Sequence, residues 1–231
     1  MVSRMVSLFD DIGREIAKGG TPDETLGLIT TRAVEHVPGT QDAGITRAVP
    51  SGFESVGTTS ERVRLVDDVQ YGLGSGPCVD AALDSTIYRT GDLGKDERWP
   101  LFGKRAADEF GINSMLSFRL FFEDDDYIAA LNLYSSERDA FDEESCLVGL
   151  TLSTYGALAV VSARRHERAV NLERALETNR DIGVAIGVLM GLHRVTREQA
   201  FDLLRMASQA KHRKVRDLAR LVAETGTLDF S

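Results

Sequence analysis

Within residues 203–219, LLRMASQAKHRKVRDLA, five cations crowd together: Arg205, Lys211, Arg213, Lys214 and Arg216, with Asp217 the only acid among them. Guanidinium and ammonium groups at this density pair with phosphate oxygens, Arg through its planar fork and Lys as a point charge. Gln209 and His212 add amide and imidazole donors suited to base edges. Leu203, Leu204 and Ala207 form one apolar helix stripe, so Arg205 and Ser208 project away from it. Lys214 opens the next helix, where a cation opposes the helix dipole and gains nothing from it. From charge alone, a solvated helix surface and a surface for a polyanion are equally well supported.

Elsewhere the reactive residue types are poorly arranged for catalysis. The histidines, at positions 36, 166, 193 and 212, stand apart with neither HExxH nor CxxC spacing. Gly72–Gly76, GLGSG, lacks the Gly-Lys-Ser/Thr ending of a phosphate-binding loop and reads as a structural turn. Cys78 follows Pro77 at a helix start, a setting that lowers a thiol pKa, whereas its small apolar neighbours favour plain burial. Glu123–Asp126 reads as a solvated hairpin tip. Two cysteines, Cys78 and Cys146, make no disulfide framework and no metal-ligand spacing. No enzyme activity, metal or cofactor is expected.

A chain of 231 residues, 42% apolar and 27% charged, can bury the core of one large domain or two small ones. The net charge of −9 is unevenly spread. Up to Val161 there are 14 basic and 27 acidic residues, a net −13; beyond it 13 and 9, a net +4. An acidic body with a basic appendage is a pattern often tied to nucleic-acid or membrane contact, but this appendage is only mildly basic and charge alone does not decide it. No apolar run approaches the roughly 20 residues of a membrane span. The start, MVSRMVSLFDDIGREIAKGG, has acids within its apolar pattern and no small-residue cleavage site. A cytoplasmic protein is expected.

The elements that position the cations can be read from local signals. Thr21-Pro22-Asp23-Glu24 is a capping box with Pro at the first helical position, followed by Leu26, Ile29, Ala33 and Val37 at helical spacing. DAGITRAV (42–49) and GFESVGTT (52–59) read as strands joined at Pro50-Ser51. A helix over 60–70, a short helical turn after the glycines, a strand at TIYRT and a helix ended by Gly111 come next. SMLSFRLFF and YIAALNLYS form the strongest strand pair.

From the N-cap Asp142 the pattern is continuously helical. Leu158, Val161, Arg165, Ala169, Leu172, Leu176, Asn179, Gly183 and Ile186 alternate spacings of three and four. A parallel coiled-coil dimer and a helix packed on its own domain account for that seam equally well. Thr196-Arg197-Glu198-Gln199 is a second capping box. Ala200, Leu203, Leu204 and Ala207, then Val215, Leu218, Ala219 and Val222, predict two short amphipathic helices. With the end of the long helix they make a three-helix bundle.

Two resemblances then become specific. GSGPCVDAAL (74–83), DLGKDERWPLF (92–102), EFGINSMLSFRL (109–120) and YIAALNLYSSERDAFDEES (127–145) resemble a GAF domain in order across residues 20–162. LERALETNRDIGVAIGVLM (172–190) and VTREQAFDLLRMASQAKHRKVRDLARLV (195–222) resemble the ANTAR domain, an RNA-binding module of transcription antitermination regulators. Arg180, Ile182, Ala185, Gly187, Leu189, Met190, Ala200, Phe201, Leu204, Arg205, Ala207, Lys214, Asp217 and Ala219 fit that family's pattern. Ile186 stands where the family usually has Lys, and Lys211-His212-Arg213 where it is usually Asn-rich.

Together the resemblances imply an α+β fold: a GAF-like domain with a central antiparallel sheet (1–162), a helical linker (163–179) and an all-α three-helix bundle (172–230). They imply a sensory half with room for a small-molecule ligand, controlling a module that binds stem-loops in nascent leader RNA. The implied RNA contacts are Arg180, Arg205, Ser208, Gln209, Lys211, His212, Arg213 and Lys214. A homodimer through the linker is expected, with no membrane partner. Three other readings stay open: a DNA-binding regulator, a protein-docking module, and a redox enzyme that uses Cys78.

Overall fold

The computed structural model describes residues 10, 13, 14, 20–84, 87–120 and 128–228. The acidic stretch Glu123–Asp126 and most of the first 19 residues lie outside them. Two compact units divide the chain, Met1–His166 and Glu167–Ser231.

In the first unit, α1 (Pro22–His36) starts as its sequence dictates. The Thr21 hydroxyl accepts from the Glu24 amide, and the Glu24 carboxylate accepts from the Thr21 amide. Two donors that a helix start would otherwise leave unpaired are thereby satisfied. β1 (Asp42–Val49) and β2 (Gly52–Val56) form a hairpin. The second strand is shorter than its sequence suggests, because Gly57 takes φ 58° and turns the chain away after Val56. α2 (Glu61–Leu73), α3 (Pro77–Asp84), β3 (Tyr88–Thr90) and a 3-10 turn at Leu93–Lys95 follow. α4 (Pro100–Phe110) stops at the left-handed Gly111, and β4 (Ser114–Leu120) and β5 (Ala129–Ser135) pair along their full lengths.

All pairings in the five-stranded sheet are antiparallel, in the order β2-β1-β5-β4-β3. Side chains alternate across it. Leu116, Phe118, Leu131 and Leu133 face one layer with Leu26 and Ile29 of α1 and Val148, Leu152 and Val160 of α5 (Glu143–His193). On the other face, Val63 and Val66 of α2 and Phe102 and Ala106 of α4 surround Met115 and Tyr134. β5 is buried on both faces, as a central strand between two helical layers must be.

Asp142 caps α5 by accepting from the Ser145 amide at 2.9 Å. Two glycines bring this helix close: a Cβ on Gly149 would lie 2.5 Å from the buried Phe118 ring, and one on Gly156 would lie 2.8 Å from Ile29. Contrary to the apolar-run reading, α5 contains a stretch long and apolar enough to cross a membrane. Interleaved Ser, Thr and Gly conceal it in the sequence. Half of that stretch is buried inside the protein, as in the core helix of a folded domain.

Candidate nucleic-acid interface and sensory core

The second unit is a bundle built from the end of α5, α6 (Arg197–Ala210) and α7 (Val215–Thr225). The Thr196 box starts α6: its hydroxyl accepts from the Gln199 amide and its own amide donates to the Gln199 side chain. Ala185 and Leu189 of α5, Ala200 and Leu204 of α6, and Ala219 and Val222 of α7 are buried against one another. Ile186 joins this core and is itself buried. Ile186 therefore adds apolar packing to the bundle.

With those stripes turned inward, the cations of residues 205–214 fall on the end of α6, the turn after it and the start of α7. Arg205 is exposed and holds Asp202 at 3.1 Å, one turn earlier. Such a surface pair contributes at most about 1 kcal/mol. It leaves the guanidinium available to a stronger anion. Gln209, His212, Arg213 and Lys214 are exposed, and Lys211 is half-buried as the C-cap of α6. His212 takes φ 50°, the left-handed turn that redirects the chain into α7.

Ser208 is engaged within the turn. Its hydroxyl donates to the Arg213 carbonyl, and the Arg213 amide donates to the Ser208 carbonyl at 3.1 Å. These reciprocal bonds clamp the turn. Lys214 is the N-cap of α7; its carbonyl accepts from the Asp217 amide, but its side chain makes no capping bond and opposes the dipole. Arg180 is exposed on α5, a different helix. Its neighbour Asp181 holds Arg220 of α7 at 3.4 Å.

In the first unit the structure reveals a polar cluster that sequence reasoning missed. Asp67 of α2 is fully buried and accepts hydrogen bonds from Tyr134, from Ser55 at 2.8 Å and from Gln70 at 3.3 Å. Burial outweighs these bonds and pushes its carboxyl up to about 7. Tyr71 and Asn132 both donate to the Thr46 hydroxyl, at 3.0 and 2.9 Å. Asn132 Oδ1 and Ser117 Oγ, on cross-strand partners of β5 and β4, are buried without a hydrogen-bond partner. Each unpaired buried polar group costs about 1–3 kcal/mol. An Asp in an amphipathic helix ordinarily points outward, so its local sequence carries no signal of this cluster.

Cys78 belongs to the same layer. Its amide donates to Gln70 Oε1 at 3.1 Å, and the residue is completely buried. Burial first, and the neighbouring Asp67 second, push the thiol well above its ordinary range. The helix-start argument for a reactive Cys78 thus fails, because desolvation of the thiolate outweighs the local dipole. Gly74 closes α2 in the left-handed conformation, and the Ser75 amide donates to the Gln70 carbonyl. GLGSG is a connector between helices.

Cys146 packs against the opposite face of the sheet, half-exposed, 3.9 Å from Arg89 Nη1. The sheet separates the two sulfurs. In the native chain, Cys146 is expected to react promptly with an aromatic disulfide reagent and Cys78 only on unfolding. A Cys146→Ser chain that still released a full thiol equivalent without denaturant would contradict this.

Comparison with known proteins fits both units. The GAF domain family model matches residues 20–161, and the ANTAR domain model matches residues 170–222. No curated protein matches the chain. Among solved structures, it is similar to the GAF domain of a phosphoenolpyruvate-protein phosphotransferase from Coxiella burnetii: TM-score 0.54 and 15% identity, covering 72% of this chain and 98% of that one. A phycoerythrobilin-bound GAF domain from a cyanobacterial phytochrome also aligns, with TM-score 0.54 and 14% identity over 70% of this chain and 96% of that one. So does a free methionine-R-sulfoxide reductase from Neisseria meningitidis in complex with its substrate, with TM-score 0.53 and 16% identity over 68% and 89%. At these identities the likeness is one of fold. With its sheet, its two helical layers and its capped terminal bundle accounted for, the chain belongs to the GAF domain family and carries an ANTAR domain behind its sensory half.

Proposed function

We propose that this protein is a cytoplasmic transcription antitermination regulator whose ANTAR unit grips stem-loops in nascent leader RNA under control of the GAF unit. The observation that carries this reading is the clamped turn between α6 and α7. It collects Lys211, His212, Arg213 and Lys214 beside Arg205 and Gln209, in a bundle whose core is otherwise complete. Arg180 adds a cation from α5, and Ser208 acts by holding the turn. Phosphate contacts by these cations supply affinity, and loop bases held unstacked supply specificity. No bond-making step is assigned.

The sensory half is taken as residues 1–162, the linker as 163–179 and the RNA-binding unit as 172–230. A homodimer through the linker is supported by the exposure of Leu172 (62%) and Leu176 (60%) and by the open space beside Gly183 on the same seam. Two bundles in one dimer would raise avidity through effective concentration alone. A small ligand in the GAF unit is supported by the two unpartnered oxygens of Asn132 and Ser117 beneath α2 and α3.

Competition binding tests the polymer class. The full chain bound to a labelled leader RNA is expected to be displaced by unlabelled hairpin RNA and not by duplex DNA, with affinity falling steeply as salt rises. Equal displacement by duplex DNA, or the absence of any salt-sensitive RNA complex, would overturn the reading.

A further inference from the structure

On α6, Met206 (60% exposed) and Phe201 both remain outside the bundle core, and Phe201 is the aromatic one. Its neighbours Ala200 and Leu204 are completely buried in the bundle core, while Phe201 remains 41% exposed. Among the described residues, its ring has neither an aromatic nor a cationic partner. A phenyl ring left this wet forfeits a sizeable part of the hydrophobic gain that burial would bring.

Phe201 is flanked along its helix by two cations, with the acids Glu198 and Asp202 beside them. Arg197, Phe201 and Arg205 recur every four residues, so they stand one above the other along a single edge of α6. Ser208 extends the same edge, and its clamp on Arg213 ties the following turn to it. The edge thus runs from Arg197 through an aromatic ring into the cationic turn. Arg197 occupies the first position of α6, and Lys214 caps α7. Both cations sit where a helix dipole disfavours them.

A ligand that matches this edge needs a flat π face with negative charge on either side of it. An unstacked base between its two phosphates has that form. A purely apolar partner would make no use of the two guanidiniums, of which Arg205 already holds Asp202, and a simple polyanion would leave the ring unused. We propose that Phe201 is a stacking platform for one unpaired base of the bound RNA, with Arg197 and Arg205 engaging the phosphates that flank it. The inference rests on the RNA reading above and adds Phe201 and Arg197 to the contact surface.

The test uses the full chain and hairpins with randomised loops, selected for binding to the wild type and then carrying 2-aminopurine in the loop. Phe201→Ala is expected to weaken binding by roughly tenfold to hundredfold, the range of a lost base–aromatic stack. It should leave the salt dependence unchanged. Arg197→Ala should instead reduce the logarithmic salt slope by about one. Phe201→Trp should keep the affinity and quench the loop fluorophore. Phe201→Leu, apolar but not planar, should bind as poorly as the alanine variant, and it decides the matter should the alanine variant lose helicity.

Wild-type affinity in both Phe201→Ala and Phe201→Leu would overturn the inference and leave the RNA reading intact. A loss of self-association that parallels the loss of binding would also overturn it, by showing Phe201 to be a protein contact. A wild-type chain that selects no hairpin would remove the RNA reading and this inference with it.

Discussion

Replacing Arg205, Arg213 and Lys214 together with alanine is expected to weaken leader-RNA binding roughly hundredfold or more at about 0.1 M salt. The three side chains are exposed around the turn clamped by Ser208, and none is part of the buried core. The bundle should therefore keep its helicity and thermal midpoint. Each phosphate contact contributes about 0.7–0.9 to the logarithmic salt slope, so the slope should fall by about two to three. A filter-binding titration at several salt concentrations reads both quantities. If affinity fell while the slope stayed fixed, these cations would be shaping the turn and not neutralising phosphates. Unchanged affinity would move the RNA surface elsewhere. Ser208→Ala makes a useful companion: it removes no charge but frees the turn, so it should weaken binding by ordering cost alone.

Lowering the pH from 8 to 5.5 is expected to stabilise the GAF unit, against the usual tendency of acid to unfold proteins. Asp67 is the cause. Its carboxyl rises from the ordinary 3.8 to about 7 because the folded chain encloses it and offers it only neutral donors. The folded state thus binds this proton more tightly than the unfolded state. The stabilisation grows as pH falls below about 7 and is lost again as pH rises through that value. Between pH 8 and 5.5 the gain is about 2 kcal/mol. For a unit of this size that corresponds to a rise of roughly 4–8 °C in the thermal midpoint.

Asp67→Asn should flatten the profile over the same window and make the chain more stable than the wild type at pH 8, because the amide carries no charge to desolvate. Below about pH 5 the trend should reverse. Asp96, held low by its bonds to Arg98, and Asp142, held low by the Ser145 amide it accepts from, then begin to take up protons that the fold disfavours. A melting series in which wild type and Asp67→Asn run parallel from pH 8 to 5.5 would refute the assignment.

Much of the fold is legible because its signals are short-range. A capping box is closed by residues three apart, so Thr21-Glu24 and Thr196-Gln199 announce two helices whatever surrounds them. Apolar spacing marks the inward stripes of α6 and α7 for the same reason: each needs only its own helical period. Strand alternation and the glycine stop after Phe110 follow suit. The position of the cationic turn is legible too, since it is whatever the two stripes leave outside.

Where the outcome depends on distant parts of the chain, local reading fails. The dipole argument for a reactive Cys78 is sound within its own helix, yet the thiol is closed in beneath the sheet by residues far from it in sequence. The bond from Ser208 to the Arg213 carbonyl likewise depends on how the turn folds back.

By itself, then, the sequence determined which segments are helix or strand, that a net-acidic body precedes a basic bundle, and which cations the bundle must leave outside. Those properties depend on hydrogen bonds and periodicities spanning a few residues. Only the tertiary structure decided that Asp67 is sealed against Tyr134, 67 residues away, and that Ile186 packs in the core of the terminal bundle. It alone also placed the two cysteines on opposite faces of one sheet. Burial decides the charge state of a carboxyl or thiol, and burial is a property of the packed chain that no short window contains.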